Sequence, residues 1–199
     1  CFFGSKKHLM ENIFQSRRMP FYQFGEMLHL KCIPTEYWVP FICSRFEKYG
    51  KKITEGYASR ICQVVKNHSS YVQQLAWNVM AETEKEVNEQ SFKEGLKALL
   101  EQNSSLFIQQ TEGLTTYQLN FIRLLCKDIH TGFTTKAVSE IYPLGSKSNV
   151  DRIKKCLIEK EIITIEKDGV FLADSVFELW FKREMMSSIA DTMVYHSPV

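Results

Sequence analysis

The sequence predicts a mainly α protein in two helical parts, and three observations predict it. Between residues 35 and 113, apolar residues recur three and four apart in successive short runs, the spacing of helices that face one core. Between 115 and 183 two amphipathic runs are followed by a serine-capped third, a short β-branched run, Asp168-Gly169, a second short apolar run and a closing amphipathic run. Helix, helix, helix and hairpin in that order spell a winged helix-turn-helix. Before residue 34, apolar runs of strand length stand without partner strands, and one or two strands alone are not stable in water. The expected divisions are a strand-helix-strand remnant of an α/β domain at 1–33, a helical bundle at 34–113, a winged helix at 114–184 and a flexible tail at 185–199.

Composition bounds the possibilities. With 199 residues and 44% apolar content the chain can bury a core throughout. A net charge of +2 neither demands nor forbids a nucleic-acid partner. No run approaches the roughly 18 apolar residues of a membrane span, and no basic segment leads into an apolar stretch as in a signal peptide, so no membrane partner and a cytoplasmic protein are expected. Six cysteines, at 1, 32, 43, 62, 126 and 156, include no Cys-x-x-Cys pair. Cys43, Cys62, Cys126 and Cys156 fall among apolar residues in helical runs and read as reduced thiols acting as small hydrophobes. The five histidines, at 8, 29, 68, 130 and 196, have no paired ligand spacing, so no metal site is expected.

In chain order, Cys1 to Ser5 reads as the end of a buried strand running into a turn, and its start at an apolar cysteine suggests a chain that begins inside a larger domain. Lys6 to Phe14 follows as a short helix, Gln15 to Pro20 as a basic loop, and Phe21 to Gly25 and Met27 to Ile33 as extended segments. Thr35 is the candidate cap of a helix to Tyr49, with Trp38, Phe41, Ile42 and Phe46 inward, a kink at Pro40 and Gly50 closing it. Thr54 caps a helix to about Lys66. Asn67-His68 breaks it, and Ser69 or Ser70 caps a third helix burying Val72, Leu75, Ala76 and Val79. Asn88 caps a fourth burying Phe92, Leu96, Leu99 and Leu100, which Leu106 and Phe107 extend or follow with another. In the last part Thr116 to Cys126 and Thr135 to Tyr142 are helical, and Ser146 caps a helix with Val150, Ile153 and Leu157 as its buried stripe. Ile162 to Ile165 and Val170 to Leu172 are strands joined at Asp168-Gly169. Asp174 to Arg183 is a helix returning Val176, Leu179 and Trp180 to the winged domain.

Four stretches together resemble the C-terminal part of a prokaryotic P-loop ATPase of the AAA+/STAND type, the archaeal-ATPase-like group. Phe2 to Met10 is similar to the strand that ends in the family's sensor 1 position and the small helix after it. Pro20-Phe21-Tyr22 to Leu30 resembles the passage from the nucleotide domain to the helical lid, Asn67 to Leu75 the start of the lid helix that carries sensor 2, and Asp174 to Trp180 the helix closing the winged domain. The resemblance implies a remnant of the α/β P-loop domain, a helical lid and a winged helix. The sequence departs from the family where phosphate is held. It has no Gly-x-x-x-x-Gly-Lys-Ser/Thr loop and no apolar strand ending in acids for magnesium, and the run from Ser69 to Met80 lacks arginine and lysine. Phosphoryl transfer rests on positioning and charge from those parts. The intact parent is thus expected to use ATP and Mg and to be an ATPase, while this chain alone carries no catalytic residues and binds neither.

The resemblance places Ser5 as a sensor hydroxyl, where the residues alone read as a turn serine, and sets Asn67, His68 and Tyr71 beside an adenine, where they also read as a helix break with a half-buried aromatic. Arg17 and Arg18 are phosphate or partner contacts or a solvated loop. On the third helix of the winged segment Lys147, Asn149, Arg152, Lys154 and Lys155 suit a major groove and its phosphates, yet residues 115–184 hold 11 basic and 10 acidic side chains, a balance that equally suits protein docking. The leading reading is a nucleotide-dependent switch: the lid and winged helix of an ATP-binding P-loop ATPase, partnered by its N-terminal core, with the winged helix docking a protein or DNA. A stand-alone winged-helix DNA-binding transcriptional regulator that dimerises through its bundle is the rival, and a protein-interaction adaptor a second.

Overall fold

The structure is a computed structural model that describes residues 13–14, 16–24 and 30–186, and the chain divides into two units, residues 1–32 and 33–199. In the first unit Ile13 and Phe14 are helical and the chain then winds through successive turns. The amides of Met19, Tyr22 and Phe24 donate to the carbonyls of Ser16, Met19 and Phe21 at 3.0, 3.1 and 3.0 Å. Phe21 to Phe24, expected to be extended, is therefore turned. Pro20, with its preset φ, occupies the second position of a turn, and the rings of Phe14, Phe21 and Phe24 pack in sequence at 6.1 and 6.0 Å. Residues 30–33 have no regular structure. The expected strand at Cys1–Ser5, most of the helix before Phe14 and Met27–His29 lie outside the described residues.

In the second unit the first helix, α1, spans Thr35–Lys48, with Pro34 at its N-cap and no side-chain cap. Thr35 does not cap, because its hydroxyl donates instead to Asn67 Oδ1 at 3.0 Å. Trp38, Ile42 and Phe46 are buried as expected, while Phe41 is 42% exposed and meets Trp38 edge-on. Gly50, at φ +69°, closes the helix: its amide reaches Glu47 O and that of Lys51 reaches Phe46 O, at 2.9 and 3.0 Å. That pair of bonds needs a left-handed residue, hence glycine.

Helix α2, Glu55–Val64, is capped by Thr54 Oγ1 and buries Ala58, Ile61 and Cys62. It ends short of Lys66 because Lys66 and Asn67 both adopt positive φ, +50° and +57°. That reversal puts His68 at the N-cap of α3, Ser69–Ala81, so neither Ser69 nor Ser70 caps it. Ala76 is only half-buried, and Tyr71 and Met80 join Val72, Leu75 and Val79 inside. The amide of Val87 and the carbonyl of Lys85 bracket Lys52, clipping the α1–α2 loop to the α3–α4 loop. Helix α4 then runs unbroken for 24 residues, Glu89–Glu112, opened by reciprocal capping between Asn88 and Ser91. It lies so close on α3 that a Cβ at Gly95 would stand 2.7 Å from Val79 Cα.

The remaining elements follow the expected order. Helix α5 is Thr116–Leu125, opened by reciprocal capping between Thr115 and Gln118. Helix α6 is Lys136–Ile141. Helix α7 is Lys147–Glu159, capped by Ser146 and burying Val150, Ile153 and Leu157. Strands β1, Ile163–Glu166, and β2, Gly169–Leu172, pair antiparallel with Ile163 opposite Leu172 and Glu166 opposite Gly169. The two-residue loop is thus Lys167-Asp168, one residue earlier than expected. Gly169 serves a close approach instead: its φ is +145°, and a Cβ there would lie 2.6 Å from the carbonyl oxygen of His130, which accepts the Val170 amide.

Helix α8, Ser175–Phe181, continues into a π turn at Lys182–Met186. Its expected packing was on the winged segment alone. The structure lays it also on α4, with Phe107 5.5 Å from Phe177 and 5.6 Å from Trp180, whose indole N–H donates to Ser104 Oγ at 3.0 Å. One apolar core therefore runs from α1 through α8. The expected tail beyond Met186 lies outside the described residues. Among those residues no helix is long and apolar enough to cross a membrane.

Candidate functional site

The elbow between α2 and α3 gathers three of the sequence-derived candidates. Asn67 tolerates the left-handed backbone better than most residues, and its amide donates to Cys62 O at 2.9 Å while its side-chain oxygen accepts from Thr35. His68 is exposed, its ring centroid 4.7 Å from that of Tyr71. Tyr71 is buried, and its hydroxyl donates to Asp174 Oδ2 at 2.6 Å. Burial first, and the Asp174 carboxylate second, push its ionisation far above the ordinary phenol range. Ser5, the fourth candidate, lies outside the described residues.

The seam beneath the elbow is polar. Ser175 Oγ donates to Val65 O at 3.0 Å, and Glu178 receives Lys66 at 2.8 Å and Lys182 at 2.6 Å. Burial alone would raise the Glu178 pKa, but the Lys182 and Lys66 ammoniums outweigh it and hold the carboxyl below the usual range. Cys126, buried next to it, has its thiol pushed up to about 12 by burial and then by the Glu178 charge. Asp174, expected as the first residue of the closing helix, caps it instead, and the sequence had no signal for its bond to Tyr71.

Chemically the elbow offers an exposed imidazole and a half-buried amide, with the Tyr71 ring buried against the imidazole. It offers no cation to a phosphate, since α3 contains no lysine or arginine and Lys66 is engaged by Glu178. Among the described residues no group of His, Cys, Asp and Glu could hold a metal ion. The free thiols at Cys43, Cys62, Cys126 and Cys156 are buried or half-buried.

On α7 the five candidates separate into half-buried and exposed. Asn149 donates to Leu144 O at 2.6 Å and accepts from Arg152 at 2.9 Å, so its amide fixes the start of the helix. Lys154 is half-buried, 3.7 Å from Asp151 and 5.2 Å from the centre of the Phe133 ring. Lys147, Arg152 and Lys155 are exposed. Arg17 and Arg18, in the first unit, are exposed too. A separate apolar groove of about 310 Å³ lies between α1 and α3, walled by Phe41, Tyr49 and Trp77.

No known protein family matches the sequence, and no curated protein resembles it in sequence. Among solved structures the fold is similar to that of the Walker-type ATPase PABY2304 of Pyrococcus abyssi, with a TM-score of 0.67 at 13% identity. The match covers 90% of this chain and 51% of that one, so the chain spans about half the length of that protein. At this identity the likeness is one of fold: the chain shares the architecture of part of a Walker-type ATPase.

Proposed function

We propose that residues 34–184 are the helical lid and winged helix of an ATP-binding P-loop ATPase, working as a nucleotide-dependent switch. The observation that carries this reading is the fold likeness to part of a Walker-type ATPase over nine-tenths of the chain. The three helices, hairpin and closing helix from α5 to α8 form the winged element in it. ATP and Mg belong to the whole protein, with phosphate and magnesium held by the P-loop core as partner. Here Asn67, His68 and Tyr71 supply at most an edge for the base. The test extends the protein. Upstream coding sequence should contain Gly-x-x-x-x-Gly-Lys-Ser/Thr, and the longer protein should bind a fluorescent ATP analogue saturably while residues 1–199 do not. Micromolar ATP binding by residues 1–199 alone would overturn the reading.

The winged element docks a partner in this scheme. Engagement of Asn149 and Lys154 within the fold favours a protein over sequence-specific DNA. The exposed Lys147, Arg152 and Lys155 are the observation that keeps DNA as the second reading. Phosphate contacts release counterions, so DNA binding through these three would weaken steeply with salt, and removing each contact would lower the salt slope by roughly one unit. Fluorescence anisotropy with a mixed duplex pool, comparing the parent with K147A/R152A/K155A from about 50 to 200 mM salt, decides it. Coincident curves leave protein docking.

A further inference from the structure

The chain passes between the bundle and the α5–β2 segment twice, at Gly113-Leu114 and at Ala173-Asp174. At the first crossing nothing demands glycine: its φ is −88° and a Cβ would meet no atom within 4 Å. What glycine adds there is backbone freedom. The second crossing is held fast. One carboxylate oxygen of Asp174 accepts the amides of Val176 and Phe177 at 2.8 and 2.9 Å, and the other accepts the Tyr71 hydroxyl. Ser175 on Val65 and Glu178 on Lys66 close the same seam. The three of these contacts that cross the seam end on Val65, Lys66 and Tyr71. Within that stretch Lys66 and Asn67 keep left-handed backbone, which a non-glycine side chain holds at a cost and only while its surroundings impose it.

We propose that the Tyr71–Asp174 bond is a latch. Made, it joins the elbow and the first turn of α8 into one body and fixes the α5–β2 segment against the bundle. Broken, the elbow relaxes and that segment pivots at Gly113. The proposal deepens the switch reading and rests on it in one respect: a base lying against His68 and Tyr71 would act on the winged element through this pair. Thr35, tied to Asn67, brings the start of α1 under the same control.

The test needs neither nucleotide nor DNA, so its failure is separate from failure of the switch reading. Hydrogen–deuterium exchange with mass spectrometry is measured on the full chain and on Tyr71→Phe, which removes one hydroxyl and keeps the ring. A hydrogen bond to a charged acceptor at this site predicts about tenfold faster exchange in peptides covering 65–72 and 174–178. Peptides of the second half of α1 and the first half of α4 should be unchanged. Asp174→Asn, which keeps the capping oxygen and removes the charge, should give the same local pattern. Phe107→Leu loosens the apolar part of the seam and should raise exchange broadly. Unchanged exchange in Tyr71→Phe, or a uniform rise like that of Phe107→Leu, overturns the latch. If Tyr71→Phe fails to fold, Asp174→Asn alone decides by the same criterion.

Discussion

Helix α4 meets α3 most closely where Gly95 faces Val79, and replacing that glycine with alanine tests how rigid the meeting is. The added Cβ would sit 2.7 Å from the Cα, the amide nitrogen and Cγ2 of Val79. Two of those atoms are backbone and cannot rotate aside. Ordinary contact begins near 3.4 Å, so the helices must part locally by about 0.7 Å. A gap of that size forfeits roughly a quarter or more of the dispersion attraction across the seam, which Leu75, Phe92 and Leu99 share. Overpacking of this kind costs about 1–3 kcal/mol, while alanine regains about 1 kcal/mol of helix propensity. The expected net loss is up to about 2 kcal/mol, or a Tm lower by up to roughly 8 °C for a chain of this size. Thermal unfolding followed by circular dichroism measures it, with Gly56→Ala as the control. Gly56 also lies in a helix, but its Cβ would meet only Thr54 Oγ1, at 3.7 Å, so alanine there should raise Tm. If both variants shift Tm upward together, the close α3–α4 contact is wrong.

Gly169→Ala should destabilise by about 1–3 kcal/mol in urea unfolding, since φ is +145° and the His130 carbonyl blocks the new methyl; a neutral result would refute the close approach. Asn88→Ala removes the cap of the longest helix and should lower stability by about 1 kcal/mol, with Ser91→Ala costing less than additively because the two residues cap one another. At alkaline pH the sign follows from burial: Cys126 ionises near 12 when folded but near its ordinary 9.0 when unfolded, so its contribution is intact below about pH 9 and is lost as pH rises toward 12. Glu178, depressed by Lys182 and Lys66, acts oppositely, its contribution being lost as pH falls through its lowered folded value. Urea midpoints should therefore drop at both ends, and Glu178→Gln should flatten the acid limb and, by removing the charge beside Cys126, weaken the alkaline one. A thiol reagent at pH 8 should label the exposed Cys32 and leave Cys126 intact until the protein unfolds.

Local signals in the sequence carried as far as local physics does. Ser146 with Val150, Ile153 and Leu157 specified α7, because a cap and a 3.6-residue stripe lie within one element. Asn88 and Thr54 were legible as caps for the same reason. Thr35 misled because its hydroxyl chose Asn67, 32 residues away, over its own helix. The hairpin was visible but its loop was not, since Gly169 answers to His130 rather than to the turn. The fate of α8 was hidden too. Its apolar residues fit a return to the α5–β2 segment, and only assembly shows Phe107 of α4 against Phe177 and Trp180. At the candidate site the break at Asn67-His68 was legible from the residues and Tyr71 only through the resemblance, whereas the tie of Asp174 to Tyr71, 103 residues away, had no pattern to betray it.

The seating of α8 on α4 also sets a schedule for synthesis. Trp180 and its partner Ser104 are 76 residues apart, a stretch that a ribosome takes roughly 4–15 s to make. Helices α1 to α4 can meet as soon as they emerge, whereas the face bearing Phe107 must wait for the last helix. During that interval a nascent chain shows an apolar strip with no cover, long enough for a chaperone or a neighbouring chain to find it. A stop anywhere between Leu114 and Asp174 would make that exposure permanent, so shortened products should aggregate through α4 even though every helix of the bundle is present.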